Sequence, residues 1–221
     1  MTPEWSSIVP TSVSQTLALR ERVSHSSSSS TAQVQVVNKI RFNHTGEYAV
    51  VCKNRALFLV NPKTDLCLKT YEGAHAREVR DASSSRDNSK LASVGGDKGV
   101  FVWDVKTGQT VRRFIGHDAF GVNCVKFLLG HSNEESVIAS CGFDRCVKFW
   151  DLRSNRQHEA METVGSQFSD AAMDLTLSGG RGGGKTNEVT ACSIDGTVRT
   201  FDIRKGELRV DTLFGQQPVT A

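Results

Sequence analysis

Nowhere does the chain hold 18 consecutive apolar residues, the length a bilayer-crossing helix needs. Its start also lacks the charged stretch and apolar run of a secretory signal. The expectation is a protein of the cytoplasm and nucleus that meets no membrane. Charge of one sign is scarce, the net charge being +3, and no Lys or Arg run approaches the length of a nucleic-acid tail. Aromatic residues make up only 7% and are not interleaved with basic ones as on an RNA-recognition sheet, so no direct nucleic-acid contact is expected. The six cysteines, at 52, 67, 124, 141, 146 and 192, form no Cys-x-x-Cys pair. Cys141 and Cys146 straddle a tight turn with no second ligand pair nearby, so the cysteines read as small buried hydrophobes of a reducing compartment, with no metal and no cofactor expected. No Ser, His and Asp set has sequence support as a catalytic triad.

What is present is self-similarity. Three stretches end alike: Asp97 to Asp104 (DKGVFVWD), Asp144 to Asp151 (DRCVKFWD) and Asp195 to Asp202 (DGTVRTFD). In each, an Asp stands six positions before an aromatic residue that is followed by Asp, and those aromatics, Trp103, Trp150 and Phe201, lie 47 and 51 positions apart. A period of this size marks a repeat architecture rather than an enzyme fold. Val100 and Val102, Val147 and Phe149, and Val198 and Thr200 alternate with the period of two that a strand requires. The Asp with its Gly or Lys neighbour marks a tight turn between two strands. The pattern resembles the WD-repeat unit of β-propellers, so the fold class predicted is all-β, a WD-repeat β-propeller whose blades have four strands each.

In a complete WD blade a His, a Ser or Thr, the turn Asp and the Trp form a hydrogen-bonded chain that locks the blade. The resemblance assigns His75, Ser93, Asp97 and Trp103 to one such chain and His117, Ser140, Asp144 and Trp150 to the next. Four polar groups from separate strands must satisfy one another when buried, which fixes register as well as energy. The flanking repeats depart from the pattern. In the earlier one Asn54 stands for the Asp and Val60-Asn61 for Trp-Asp; in the later one Asp195 is kept, but Ala191 replaces Ser, Phe201 replaces Trp and no His lies at the expected start. Both are expected to fold by apolar packing and strand pairing.

The organisation expected is a disordered N-terminus at 1–14, a ring-closing strand at 15–23, a Ser-rich loop at 24–32, a degenerate first blade at 33–71 and further blades at 72–114, 115–157 and 158–213. A Gly-rich insertion at 178–185 interrupts the fourth blade, and 214–221 opens a fifth. WD propellers usually close with seven blades, which at this period takes roughly 300 residues. About four blades of an expected seven, an incomplete ring, is therefore the reading. Such an arc exposes an apolar blade face and unpaired strand edges, so self-association through the blade ends is expected.

The runs LKTYEGAHAREV (68–79), DNSKLASVGGDKGVFVWDVKTGQTVRRFIGH (87–117) and SIDGTVRTFDIRKGEL (193–208) resemble the mitogen-activated protein kinase organizer family of WD-repeat proteins, and the similarity extends in order from Gln15 to Ala221. That resemblance implies a non-catalytic scaffold with protein partners from kinase modules or the spliceosome. Two features point elsewhere. Trp150-Asp151-Leu152-Arg153 and Phe201-Asp202-Ile203-Arg204 resemble the WD-x-Arg box through which some propellers dock on the adaptor of a cullin ubiquitin ligase, with Arg153 and Arg204 as the contacts; the plain reading is a solvated Arg after the turn. Gly179 to Thr186 (GGRGGGKT) satisfies the phosphate-loop spacing, which would give Lys185 and Thr186 to a bound nucleotide. The next ten residues, NEVTACSIDG, form a β-branched strand and turn rather than a helix to cap, so a flexible hairpin loop is the expectation.

Overall fold

The computed structural model describes residues 36–118, 120–128, 135–155, 159–164, 168–177, 188–202, 207–211 and 218. They form sixteen strands in four antiparallel sheets of four, each sheet a simple meander in chain order. The first is β1 (Val37–Phe42), β2 (Ala49–Lys53), β3 (Ala56–Asn61) and β4 (Leu66–Tyr71). The second is β5 (Val79–Ser84), β6 (Lys90–Gly95), β7 (Gly99–Asp104) and β8 (Thr110–Ile115). The third is β9 (Val122–Leu128), β10 (Val137–Gly142), β11 (Val147–Asp151) and β12 (Glu162–Val164), and the fourth is β13 (Ala172–Leu177), β14 (Glu188–Ser193), β15 (Val198–Asp202) and β16 (Glu207–Asp211). The closing strand, the Ser-rich loop, the Gly-rich insertion and the opening of a fifth blade lie outside the described residues, apart from Pro218. One boundary differs from expectation: the outer strand β12 of the third sheet begins beyond 157, after a longer connection from Asp151.

The core is divided into layers between consecutive sheets. Val50, Cys52 and Leu57 meet Ala82, Leu91 and Trp103 between the first two sheets. Val94, Val100 and Val102 meet Val125, Ile138 and Trp150 in the next layer. Val147 and Phe149 meet Leu175, Val189 and Phe201 in the last. Each middle sheet is buried on both faces, which is why β6, β7, β10 and β11 read as near-continuous apolar runs rather than clean alternations. At the first sheet the outward face of β1 is uncovered, and Phe42 is 61% exposed.

The innermost strands β1, β5, β9 and β13 pack side by side along the axis. All four carry a bulge one step after they begin to pair, which skips Asn38, Arg80, Asn123 and Met173 respectively. A bulge turns the skipped side chain away from the ladder. Here it turns toward the next blade. Asn38 Nδ2 donates to Val79 O at 2.7 Å, Arg80 Nη1 to Asn123 Oδ1 at 3.1 Å, and Asn123 Nδ2 to Ala172 O at 3.0 Å. A repeated local irregularity thus becomes a repeated polar staple between blades.

The cysteines divide by burial. Cys52, Cys124 and Cys141 are buried as expected, Cys146 and Cys192 are half-buried, and Cys67 on the outer strand β4 is exposed, against the reading of small buried hydrophobes. Burial pushes the thiols of Cys52 and Cys124 well above their ordinary range. With a thiol-disulfide indicator dye, Cys67 is expected to react at once and Cys52, Cys124 and Cys141 only on addition of denaturant; immediate reaction of the buried three overturns the packing described.

Candidate functional site

The polar chains expected from the sequence are assembled. In the second sheet Trp103 Nε1 donates to Ser93 Oγ at 2.8 Å, Ser93 Oγ lies 2.7 Å from His75 Nε2, and His75 Nδ1 lies 2.9 and 3.0 Å from the two Asp97 oxygens. The third sheet repeats it: Trp150 to Ser140 at 2.8 Å, Ser140 to His117 at 2.7 Å, His117 Nδ1 to Asp144 at 2.8 Å. An ionised carboxylate only accepts, so each His donates a hydrogen bond from its Nδ1–H to the Asp. In the neutral ring that donates from Nδ1, Nε2 accepts from the Ser hydroxyl, which in turn accepts from the indole. The polarity runs one way, from Trp to Asp.

Ser, His and Asp in this order have the connectivity of a hydrolase triad, so access decides their role. Ser93 and Ser140 are 0% exposed, and each Oγ is already held by an indole N–H. No substrate carbonyl reaches a hydroxyl so placed, and these chains act as locks.

The two locks are not identical. In the second blade the Ala76 amide completes the Asp97 carboxylate at 2.9 Å. In the third the loop from His117 to Val122 is one residue longer than that from His75 to Val79, and Asp144 Oδ1 has no partner among the described residues. Lys148 compensates, its Nζ 3.2 Å from Asp144 Oδ2 and also donating to Gly116 O. Burial would raise the Asp144 carboxyl, but the His117 bond and the Lys148 charge hold it below its ordinary value.

The fourth blade replaces the lock with aromatic packing. Phe168 stands four residues before the start of β13, as His75 does before β5, and its ring meets Phe201 edge-on at 6.3 Å. Arg199 covers Phe168 at 4.5 Å from its centroid and approaches Asp195 at 3.7 Å. Asp195 keeps its turn role, accepting from the amides of Ser169 and Thr197 at 2.9 Å each. In the first blade Asn54 takes a left-handed turn conformation, φ 51°, and caps no chain; its carbonyl accepts from Val79 N at 2.7 Å.

The carboxylates give the fold an acid limit. Asp144, Asp174 and Asp195 all stand below their ordinary value of 3.8, hydrogen bonds and cations outweighing burial. Burial likewise opposes the charge on Asp87, but the bonds from Ser85 and Ser89 together outweigh it and lower the carboxyl to about 2. A depressed carboxyl contributes stability above its unfolded value that is lost as pH falls through its folded one. Glu135, raised by burial, works the opposite way as pH rises above its ordinary 4.5. Thermal midpoints are expected to fall steeply from pH 3.8 toward about 2; a flat profile there overturns this account.

One cluster was not legible as a site. Lys39, Asp81, Cys124 and Asp174 occupy the same register position on the four inner strands, and Arg41 joins them. Arg41 Nε lies 3.0 Å from Asp81 Oδ1, and its Nη2 3.1 Å from Asp174 Oδ1, linking the first blade to the second and the fourth. Cys124 Sγ donates to Asp174 at 2.7 Å. The donor atoms of Asp81, Cys124 and Asp174 lie within 4.8 Å of one another, but the guanidinium already spans both carboxylates, so a cation would have to displace it. Aligning the starts of the repeats, rather than their Trp-Asp ends, would have shown this ring.

Of the remaining sequence candidates, Arg153 is 70% exposed at its side chain and bonded to Asp151 at 3.2 Å, while Arg204, Lys185 and Thr186 lie outside the described residues.

Four-stranded meander blades around a common axis, with Trp–Ser–His–Asp locks in two of them, define a WD-repeat β-propeller, of which the described residues form four blades. The model of the WD domain, G-beta repeat family matches residues 65–104 and 108–151, each match running from the outer strand of one sheet to the third strand of the next. The chain is 28% identical over 203 residues to a WD repeat domain-containing protein 83 homolog of Dictyostelium discoideum, covering 77% of this chain and 60% of that protein. It is 27% identical to WD repeat-containing protein 1 of Xenopus tropicalis over 66% of this chain and 25% of that one. A segment covering 42% of the chain is 36% identical to the B-type cell cycle switch protein ccs52A of Medicago truncatula, of which it spans 19%. The chain thus spans less than two thirds of the length of each.

Proposed function

We propose that the protein is a non-catalytic scaffold that holds other proteins together, with roles in mitogen-activated protein kinase signalling or pre-mRNA splicing in the cytoplasm and nucleus. WD-repeat proteins generally act as scaffolds or adaptors. The observation that carries this reading is the sealing of both Ser–His–Asp chains inside their blades, so that the groups best suited to chemistry serve rigidity. Loops joining rigid strands can then vary in sequence while the frame stays fixed. The resemblance at residues 68–79, 87–117 and 193–208 supports the kinase-module or spliceosome context. Self-association through the open face of β1, where Phe42 is exposed, belongs to the same reading.

The test is affinity purification of the tagged protein from cells after mild crosslinking. Recovery of kinase-module or spliceosome components, two or more in one complex, is the expected result; their absence overturns it. Exposure of Arg153 favours a second reading, a substrate receptor for a cullin ubiquitin ligase. Capture of the ligase adaptor by the wild-type chain and its loss in Arg153→Ala would establish that reading, and unchanged or absent capture removes it.

A further inference from the structure

Above the seam between the second and third blades the surface changes character. Phe120, in the loop from β8 to β9, is 86% exposed, far more than the other large apolar side chains described. Its neighbour Gly121 takes φ 127°, and a Cβ there would lie 2.8 Å from Gly95 O, so the chain turns sharply against the second blade directly after Phe120. Gly121 O accepts from Phe143 N at 3.2 Å, which places a second aromatic residue, 36% exposed, against the same loop. Arg80 lies over the Phe143 ring at 5.0 Å.

Further cations share a cavity with Phe120. Arg77 and Lys98 line a cavity of about 350 Å³ with Phe120, Asp97 and Asp118, which is within the size range of ligand pockets. Arg145 lies outside that cavity, two residues after Phe143 in the turn from β10 to β11, and among the described residues its side chain and that of Arg77 meet no hydrogen-bond or ion-pair partner. Lys98 Nζ donates to the backbone oxygen of Asp118 rather than to a carboxylate. The acidic groups present are mostly occupied: Asp97 by His75 and the Ala76 amide, Asp144 by His117 and Lys148, and Glu78 by Arg80 at 3.0 Å. Among the described residues here, Asp118 alone is left to oppose three cations that no carboxylate pairs. An exposed ring beside unmatched cations favours a partner that supplies both apolar area and carboxylates.

We propose that this seam docks an extended acidic segment of a partner protein, its large apolar side chain seating against Phe120 and its carboxylates meeting Arg77, Lys98 and Arg145. The proposal rests on the scaffold reading and gives it a binding surface and a partner chemistry. Asp97 of the second blade's lock lines the same cavity, but Phe120, Arg77 and Arg145 belong to neither lock, so they can be altered without removing a lock residue.

The test is selection of a random-peptide library on the wild-type chain, followed by polarisation titration of the enriched peptides labelled with fluorescein. Enrichment of sequences combining Asp or Glu with Leu, Phe or Trp is expected. Binding should weaken about tenfold in Phe120→Ala and in Arg77→Glu/Arg145→Glu, and with added salt, while the distant exposed change Lys63→Glu leaves it unchanged. All altered side chains are exposed, and circular dichroism confirms that the variants fold. Enrichment of basic or purely apolar sequences, or equal binding by the variants, overturns the proposal. So does a single-stranded RNA oligonucleotide that binds more tightly than the peptides and is lost in the same charge reversal. Failure here with partners still recovered from cells by the Phe120→Ala chain overturns this surface alone; loss of all partners by the wild-type chain overturns the scaffold reading.

Discussion

Replacing Trp150 by Ala is expected to cost roughly 3 to 5 kcal/mol of unfolding free energy, enough to remove most of the stability of a domain of ordinary marginality. The ring is 1% exposed, lies in the layer between the second and third sheets, and stacks on Phe114 at 5.3 Å. Its removal empties a site that rigid strands on both sides cannot collapse into. It also withdraws the donor that begins the chain through Ser140 and His117 to Asp144. Trp150→Phe separates the two contributions, because the ring is largely restored and the N–H is not. The fourth blade shows that Phe can fill this position, but there Phe168 has replaced the His. In the third blade a Phe would face polar groups, and the loss expected is nearer ~1 kcal/mol. Ser140→Ala, which leaves His117 Nε2 and the indole N–H both buried and unpaired, should cost about 1 to 3 kcal/mol for each orphaned group. Urea unfolding followed by far-ultraviolet circular dichroism measures all three. If Trp150→Phe is as damaging as Trp150→Ala, the hydrogen-bonded chain, not the packing, governs the blade.

The locks were readable because their parts obey two short-range rules. The Asp sits at a tight turn between strands of opposite direction, so Ser93 and Trp103, or Ser140 and Trp150, lie at fixed offsets on either side of it. The loss of the lock in the fourth blade was equally plain from Ala191 and Phe201. Its replacement was hidden, since Phe168 is informative only once the start of β13 is fixed. Lys148 was misleading in its own way. Alternation in DRCVKFWD points it outward, yet it is 7% exposed, as the matching Phe101 and Arg199 are 3% and 8% exposed, because both faces of these third strands are covered. The inner strands defeated pattern reading for a general reason. A bulge in each shifts the count by one, so a strict period of two assigns the later residues to the wrong face. Pairs such as Arg41 and Asp174, separated by 133 positions, leave no local trace at all.

That long-range pair carries the other large effect. Arg41→Ala is expected to destabilise the chain by about 3 to 5 kcal/mol, because it strands the carboxylate of Asp81, 1% exposed at its side chain, without its counter-ion. Burial opposes the charge on Arg41, but Asp81 and Asp174 outweigh it and raise the guanidinium above its ordinary range, so the group stays charged. Geometry adds to charge: the planar fork reaches Asp81 through Nε and Asp174 through Nη2, a division that a Lys ammonium cannot reproduce. Arg41→Lys should therefore recover only part of the loss. The decisive comparison is Arg41→Ala with Arg41→Ala/Asp81→Asn. If the damage comes from an uncompensated buried charge, removing that charge makes the double variant more stable than the single one. Asp174→Asn alone, where the carboxylate is 18% exposed and the Leu175 amide still bonds, should cost less than either. Hydrogen exchange adds a spatial readout. Loss of the strut should speed exchange in β1 and β13 together, because Arg41 joins the first blade to the fourth across the axis. Faster exchange confined to β1 would mean that Arg41 holds only its neighbour and that the four blades are tied in sequence alone.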